Sequence, residues 1–169
     1  MYAVDKLDRV VEVHDAPCPD SGAPLPFVMG DELQLSLAYL TLEAGERFSS
    51  VVKMMTADSP GYVALVEFTR PIAHMFGPPN DETFFSHPLA NRGLSPYGVF
   101  EVLDSSWIRQ LATMNKARQG WSPYDGMRHF IFSFHDSTFE CIAKSLAANF
   151  RRGSVRDVMF EMMQKLQGP

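Results

Sequence analysis

The chain has 169 residues, 46% of them hydrophobic and 21% charged, with a formal net charge of −5. That is enough apolar material for one globular domain, expected over 1–169, and an acidic balance without a basic run argues against a nucleic-acid surface. Cys18 and Cys141 are too few for a disulfide framework. No stretch nears the ~18 apolar residues of a membrane span and the N-terminal residues lack a signal peptide's apolar run, so a soluble cytoplasmic protein of bacterial type is expected.

Residues 7–14 predict a first strand, with Leu7, Arg9, Val11 and Val13 on one face. Pro17, Pro19 and Pro24 forbid regular pairing and make 16–24 a loop. Over 32–42, Leu33, Leu35, Leu37 and Tyr39 alternate with polar and small residues, and Leu40 and Leu42 then imply burial on both faces. Residues 50–56 and 62–69 read as a hairpin through Asp58, Ser59, Pro60 and Gly61, and 62–69 has no wet face, as a central strand would not. Between 70 and 96 the breakers Pro71, Gly77, Pro78, Pro79, Pro88, Gly93 and Pro96 predict a long connection, of a kind that is often functional when ordered.

Residues 97–103 return to strand. A helix follows, capped by Asp104 or Ser105, with Trp107, Ile108, Leu111 and Met114 as its stripe and Gly120 as its stop. A second helix starts at Ser154, where Asp157 completes a weak capping box. It presents Val155, Val158, Met159, Met162, Met163 and Leu166, the methionines read as core filler. Residues 143–150 fit either a helical face or a continued strand, and strand to about Leu146 is preferred.

The strongest structural signal lies at 128–143. Phe130, Phe132 and Phe134 alternate with His129, Ile131, Ser133 and His135, and the turn formers Asp136 and Ser137 precede Thr138, Phe139, Glu140 and Cys141. A hairpin pairing Phe134 with Phe139 collects Phe130, Phe132, Phe134, Phe139, Cys141 and Ala143 on one apolar face. It leaves His129, Ile131, Ser133, His135, Thr138, Glu140, Ile142 and Lys144 on a face read as wet. Asp-Ser is a poorer two-residue turn than Asn-Gly, which leaves a longer loop open. With strands outnumbering helices and connections too short for parallel crossovers, the fold class expected is α+β, with a largely antiparallel, curved sheet and helices packed on one face or end.

Several segments resemble a family of uncharacterised bacterial proteins. They are Pro79-Asn80-Asp81-Glu82, His87-Pro88-Leu89 with Gly93-Leu94, Glu101-Val102 with Ser106-Trp107-Ile108, and His129-Phe130 with the run from Phe134 to Glu140. The resemblance covers roughly residues 60 to 145. It implies a bacterial source and a shared fold, and brings neither an activity nor catalytic residues.

Polar residues with an unusual setting concentrate in the long connection (Asn80, Asp81, Glu82, His87, Asn91, Arg92) and on the wet hairpin face. Asp81, His87, Arg92, His135, Asp136 and Glu140 are the candidate cluster, with His87 or Arg92 expected close to His135, Asp136 or Glu140. Pinning of the loop is the simpler role, and a ligand site the sharper one. His129 and His135, six residues apart on one strand, are too distant to share an ion, and the chain has no paired metal-ligand motif, so no metal and no cofactor are expected. His135 and Glu140, as diagonal neighbours, would join a site only if the loop completed it. Cys141 points to the opposite face from His135 and Glu140, which excludes a Cys–His pair within the hairpin. No Gly-x-Ser-x-Gly elbow or phosphate loop is present, and Ser106 reads as a helix cap. The function expected is therefore binding rather than catalysis. An immunity-type module with a protein partner fits, and Tyr97, Trp121 and Tyr124 are available as contacts. The alternative is a metal-assisted or hydrolase-like enzyme built from the 80–92 loop and the 135–140 hairpin end.

Overall fold

The computed structural model describes residues 2–41, 55–119 and 123–166, with side chains from 115 to 119 left undescribed. Nine strands and two helices follow one another as β1 (Arg9–Glu12), β2 (Phe27–Gly30), β3 (Leu35–Thr41), β4 (Gly61–Thr69), β5 (Ala73–Gly77), β6 (Val99–Leu103), α1 (Ser106–Gln119), β7 (Arg128–Ser133), β8 (Thr138–Ala143), β9 (Ser145–Gly153) and α2 (Val155–Leu166). Every strand pair is antiparallel. One sheet runs β1-β6-β7-β8-β5 and the other β2-β3-β4-β9, so the fold is α+β and dominated by sheet. Among the described residues no helix is long and apolar enough to cross a membrane.

The two sheets share one bent ladder. β4 pairs with β9 and β5 with β8, so both chains pass from one sheet to the other at the same corner. Between the pairs Thr69↔Ser145 and Ala73↔Ile142 one chain spends residues 70 to 72 and the other only 143 and 144. That extra residue is a bulge, and Arg70 there takes φ 51°. Lys144 N–H to Thr69 O and Ile72 N–H to Ile142 O, both 2.8 Å, keep the corner paired.

Period two then sorts the side chains into layers. Between the sheets, Leu35, Leu37, Tyr39, Ala64, Val66 and Phe68 meet Phe130, Phe132, Phe134, Phe139 and Cys141. The outer face of the β2–β9 sheet, with Ala38, Leu40, Val63 and Leu65, packs on Val155, Val158 and Met162 of α2. The expected capping box starts α2: Ser154 Oγ accepts from Asp157 N–H at 3.2 Å, and Asp157 Oδ2 accepts from Ser154 N–H at 3.1 Å. The outer face of the other sheet, with Phe100, Val102 and Ile131, is covered by Phe84, Leu89 and Leu94. Those residues come from the 70–96 connection, which carries the 3-10 turns Phe84–Ser86 and Ala90–Arg92.

Several expectations need correction. The 70–96 connection contains strand β5, a five-residue edge element flanked by Pro71, Pro78 and Pro79. β2 lies between the expected 16–24 loop and 32–42 strand, where no element was expected. Residues 143–150 are strand apart from the bend at Lys144, and β9 continues to Gly153. Within β1, Val11 is 38% exposed because β1 is an edge strand, while Val10 on the opposite face packs toward Phe100 and Val102. The hairpin partner expected at 50–56, the stop at Gly120 and the contact residue Trp121 lie outside the described residues, except that 55 and 56 are not strand.

The 128–143 hairpin has the expected faces in a different register. Phe132 pairs with Phe139 and Phe130 with Cys141, two residues from the pairing expected. The turn closes earlier, where Phe134 N–H donates to Ser137 O at 2.9 Å, and His135 and Asp136 occupy its tip. A shift of two conserves which side chains face the core, so all six apolar residues still point inward.

Candidate functional site

The hairpin face read as wet is covered along its strands, while His135 and Lys144 at its ends stay at least partly exposed. His129 and Ser133 are fully buried, and Thr138 and Glu140 are 4% exposed. The 3-10 segment and the N-terminal residues lie over it, so its polar groups must find partners inside the protein. Glu140 on β8 is the centre. Its Oε2 accepts from the Tyr2 hydroxyl at 2.8 Å and lies 2.9 Å from His129 Nε2 on β7, and its Oε1 lies 3.2 Å from His87 Nε2.

The surrounding contacts set the tautomers. His87 ends the first 3-10 turn, stacks on Phe84, and accepts the Leu89 N–H on Nδ1 at 3.1 Å, so its proton is on Nε2 and donates to Glu140. His129 Nδ1 is 2.9 Å from Ser105 Oγ, which itself accepts the Ile108 N–H at 3.3 Å and caps α1. Ser105 Oγ and His129 Nδ1 share one hydrogen bond, and His129 donates to Glu140 from Nε2. Tyr2 stacks on Trp107 at 5.2 Å, and both rings meet His129 edge-on. The cluster thus holds one buried carboxylate facing three donors.

Electrostatics follow from that geometry. Burial opposes ionisation of Glu140, but hydrogen bonds from His129 and His87 outweigh it and hold the carboxyl at about 2. Burial, then the Glu140 charge, pushes the Tyr2 hydroxyl up. Cys141, on the opposite face, is buried among apolar groups and its thiol is pushed up, which keeps it protonated.

A second polar cluster sits at the hairpin tip. Asp81 N–H donates to His135 O at 2.8 Å, the Tyr97 hydroxyl donates to Asp81, and His135 Nδ1 lies 2.9 Å from Asp81 Oδ2 and 3.0 Å from the Tyr97 oxygen. Hydrogen bonding by Tyr97, then the field of His135, holds the Asp81 carboxyl below its ordinary range. Partial burial and Asp81 push the Tyr97 hydroxyl up to about 12. Tyr97 takes φ 58°, a left-handed conformation that a bulky residue keeps only where its contacts hold it.

The six candidate residues thus divide. His87 and Glu140 meet as expected, and Asp81 meets His135. Asp136 is 88% exposed, with Oδ1 3.9 Å from His135 Nε2. Arg92 does not reach the hairpin: its guanidinium donates to Asp5 O and Asp8 O and ties down the N-terminal segment. Nor are His135 and Glu140 diagonal neighbours, because the shifted register sets Glu140 opposite Ile131 and leaves His135 in the turn. A single convergent site at His87, His135 and Glu140 is therefore not formed. Tyr2, Ser105 and Trp107 join the Glu140 network without having been singled out for it. Ser105 was visible as a cap, and nothing in the sequence marked Tyr2.

Among the described residues no three His, Cys, Asp or Glu side chains are arranged to hold a metal ion. A shallow cleft of about 370 Å³ opens beside α1, lined in part by Glu101, Asp104, Ser105, Arg109, Tyr124 and Arg128. Its cations are engaged: Arg128 forks onto Glu101 at 3.0 and 2.6 Å, and Arg109 donates to Asp5 at 2.5 Å. Compared with protein-family models, with curated proteins and with solved structures, the chain finds no match.

Proposed function

We propose that this protein is a binding module with a protein partner, of the immunity type that neutralises another protein by contact, acting in a bacterial cytoplasm. The observation that carries the reading is the closure of the Glu140 network. Each hydrogen-bonding atom described for Tyr2, His87, His129 and Glu140 is engaged with another group of the protein, and the four residues are at most 9% exposed. A catalytic centre needs groups that a substrate can reach, and this one binds the N-terminus, the 3-10 segment and α1 onto the sheet instead. Cys18 and Cys141, both free, support a reducing compartment. The family resemblance noted above supports a bacterial source.

A second reading, a serine hydrolase, is favoured by one arrangement. Ser105 Oγ, His129 and Glu140 form a hydroxyl–imidazole–carboxylate chain, and Ser105 lines the cleft beside α1. Against it, Ser105 is 4% exposed and its Oγ already accepts the Ile108 N–H. A fluorophosphonate probe separates the readings. In a hydrolase Ser105 Oγ would bond to phosphorus, fluoride would leave, and His129 would take the proton. The binding reading expects no adduct on the intact protein by mass spectrometry. An adduct on Ser105 that His129→Gln abolishes would replace it with the hydrolase.

A further inference from the structure

Exposed sheet edges invite pairing with another chain, and proteins blunt them by keeping edge strands short. Among the described residues three of the four sheet edges obey: β1 and β2 have four residues each and β5 has five, followed directly by Pro78 and Pro79. The fourth does not. β9 has nine residues, about 30 Å at a strand's rise, and ends its sheet beyond β4. Among the described residues no backbone group hydrogen-bonds to its outer edge.

Its composition is selective. From Lys144 to Gly153 the segment carries Lys144, Arg151 and Arg152 and no acidic residue, in a chain of net charge −5. Leu146, Ala147, Ala148 and Asn149 put no charge on the strand's first half. Phe150 is 45% exposed and stacks on Tyr62 at 5.1 Å, which makes a flat aromatic platform beside the edge. Arg151 is paired with Glu161, while Arg152 has no acidic partner among the described residues.

We propose that β9 is a docking edge for an extended segment of a partner protein that adds a fifth strand to the β2-β3-β4-β9 sheet. Main-chain hydrogen bonds would supply affinity. Acidic side chains at the end of the segment near Arg151 and Arg152, and an apolar one over Phe150, would supply specificity. A second copy of this chain is the poorer occupant, because antiparallel self-pairing brings two like basic strands together on two acidic molecules. The inference rests on the binding reading and names its surface and partner chemistry.

The test is selection of peptides from a display library of random dodecamers on the immobilised full chain. The best peptide is then followed by amide chemical shifts and by titration calorimetry. The expected result is enrichment of Asp and Glu toward one end, shifts concentrated on β9 and β4, and on the order of tenfold weaker binding to R151E/R152E. Adjacent strand residues turn their N–H groups to opposite edges. So one of Ala147→Pro and Ala148→Pro keeps the β4–β9 ladder and its melting temperature while abolishing binding. Peptides that bind tightly without moving β9 amides overturn the docking edge and leave the binding reading standing. No enrichment overturns the docking edge as well, and a fluorophosphonate adduct on Ser105 would separately remove the binding reading. A concentration-dependent doubling of mass that the edge proline abolishes would overturn it in favour of a second copy.

Discussion

Replacing Glu140 by glutamine probes the network with almost no change in volume. The amide oxygen can take the place of Oε2, where Tyr2 and His129 donate. The amide NH2 then faces His87 Nε2, which is also a donor because the Leu89 N–H fixes the tautomer. The variant loses the charge-assisted hydrogen bonds and gains a donor opposed to a donor, at ~2–4 kcal/mol, with some relief from removing a buried charge.

The pH dependence gives an independent magnitude. A carboxyl held at about 2 rather than 4.5 stabilises the folded state by about 3 kcal/mol. Because folding lowers this pKa, the stabilisation is complete above the ordinary value. It is lost as pH falls through the folded one, between about pH 5 and pH 2. Once protonated, Glu140 carries no charge and presents a donor on one oxygen, which brings it closer to glutamine. Urea melts followed by circular dichroism at pH 7, 4 and 2.5 should therefore show E140Q about 2–4 kcal/mol less stable at pH 7, with a gap that narrows to about 1 kcal/mol at the lowest pH. A difference below 0.5 kcal/mol at pH 7, or one constant across the three pH values, would refute the reasoning.

Three further outcomes are expected. Phe132→Ala, which empties a fully buried position between Tyr39, Phe68 and Phe139, should cost ~3–5 kcal/mol in denaturant melts, and a loss under 1 kcal/mol would show that the inner face is misassigned. Arg92→Ala should speed hydrogen exchange in the segment 5–8, where it holds the Asp5 and Asp8 carbonyls, while the hairpin tip keeps its protection; faster exchange at 135–140 would restore the role expected from sequence. Tyr97→Phe removes the hydroxyl that depresses the Asp81 carboxyl, so that carboxyl should titrate at higher pH by NMR, and no change would place the depression in His135 alone.

The parts of this fold legible in the sequence are those fixed by local period. Alternation at Phe130, Phe132 and Phe134 assigns the hairpin's faces whatever its register, because a shift of two conserves parity. The same indifference explains the error: with both registers burying six apolar residues, only the turn discriminates, and His135-Asp136 rather than Asp136-Ser137 occupies its tip. β5 was hidden because a five-residue edge strand between prolines has too short a run to show a period.

The burial of the polar face was hidden for a different reason. His129, Ser133, Thr138 and Glu140 read as solvated because polarity in one strand says nothing of what the rest of the chain lays over it. The cover comes from Tyr2, far off in sequence, and from His87 and Phe84. One local clue did exist, since Ile131 and Ile142 stand on that same face and both are fully buried. A face that mixes isoleucine with histidine and glutamate is poorly suited to water and poorly suited to a dry core, unless its polar members satisfy one another. That condition is met here by an acid with three donors. A carboxylate interleaved with β-branched apolar residues on one strand face thus predicts a covered, internally paired network more strongly than it predicts an open site.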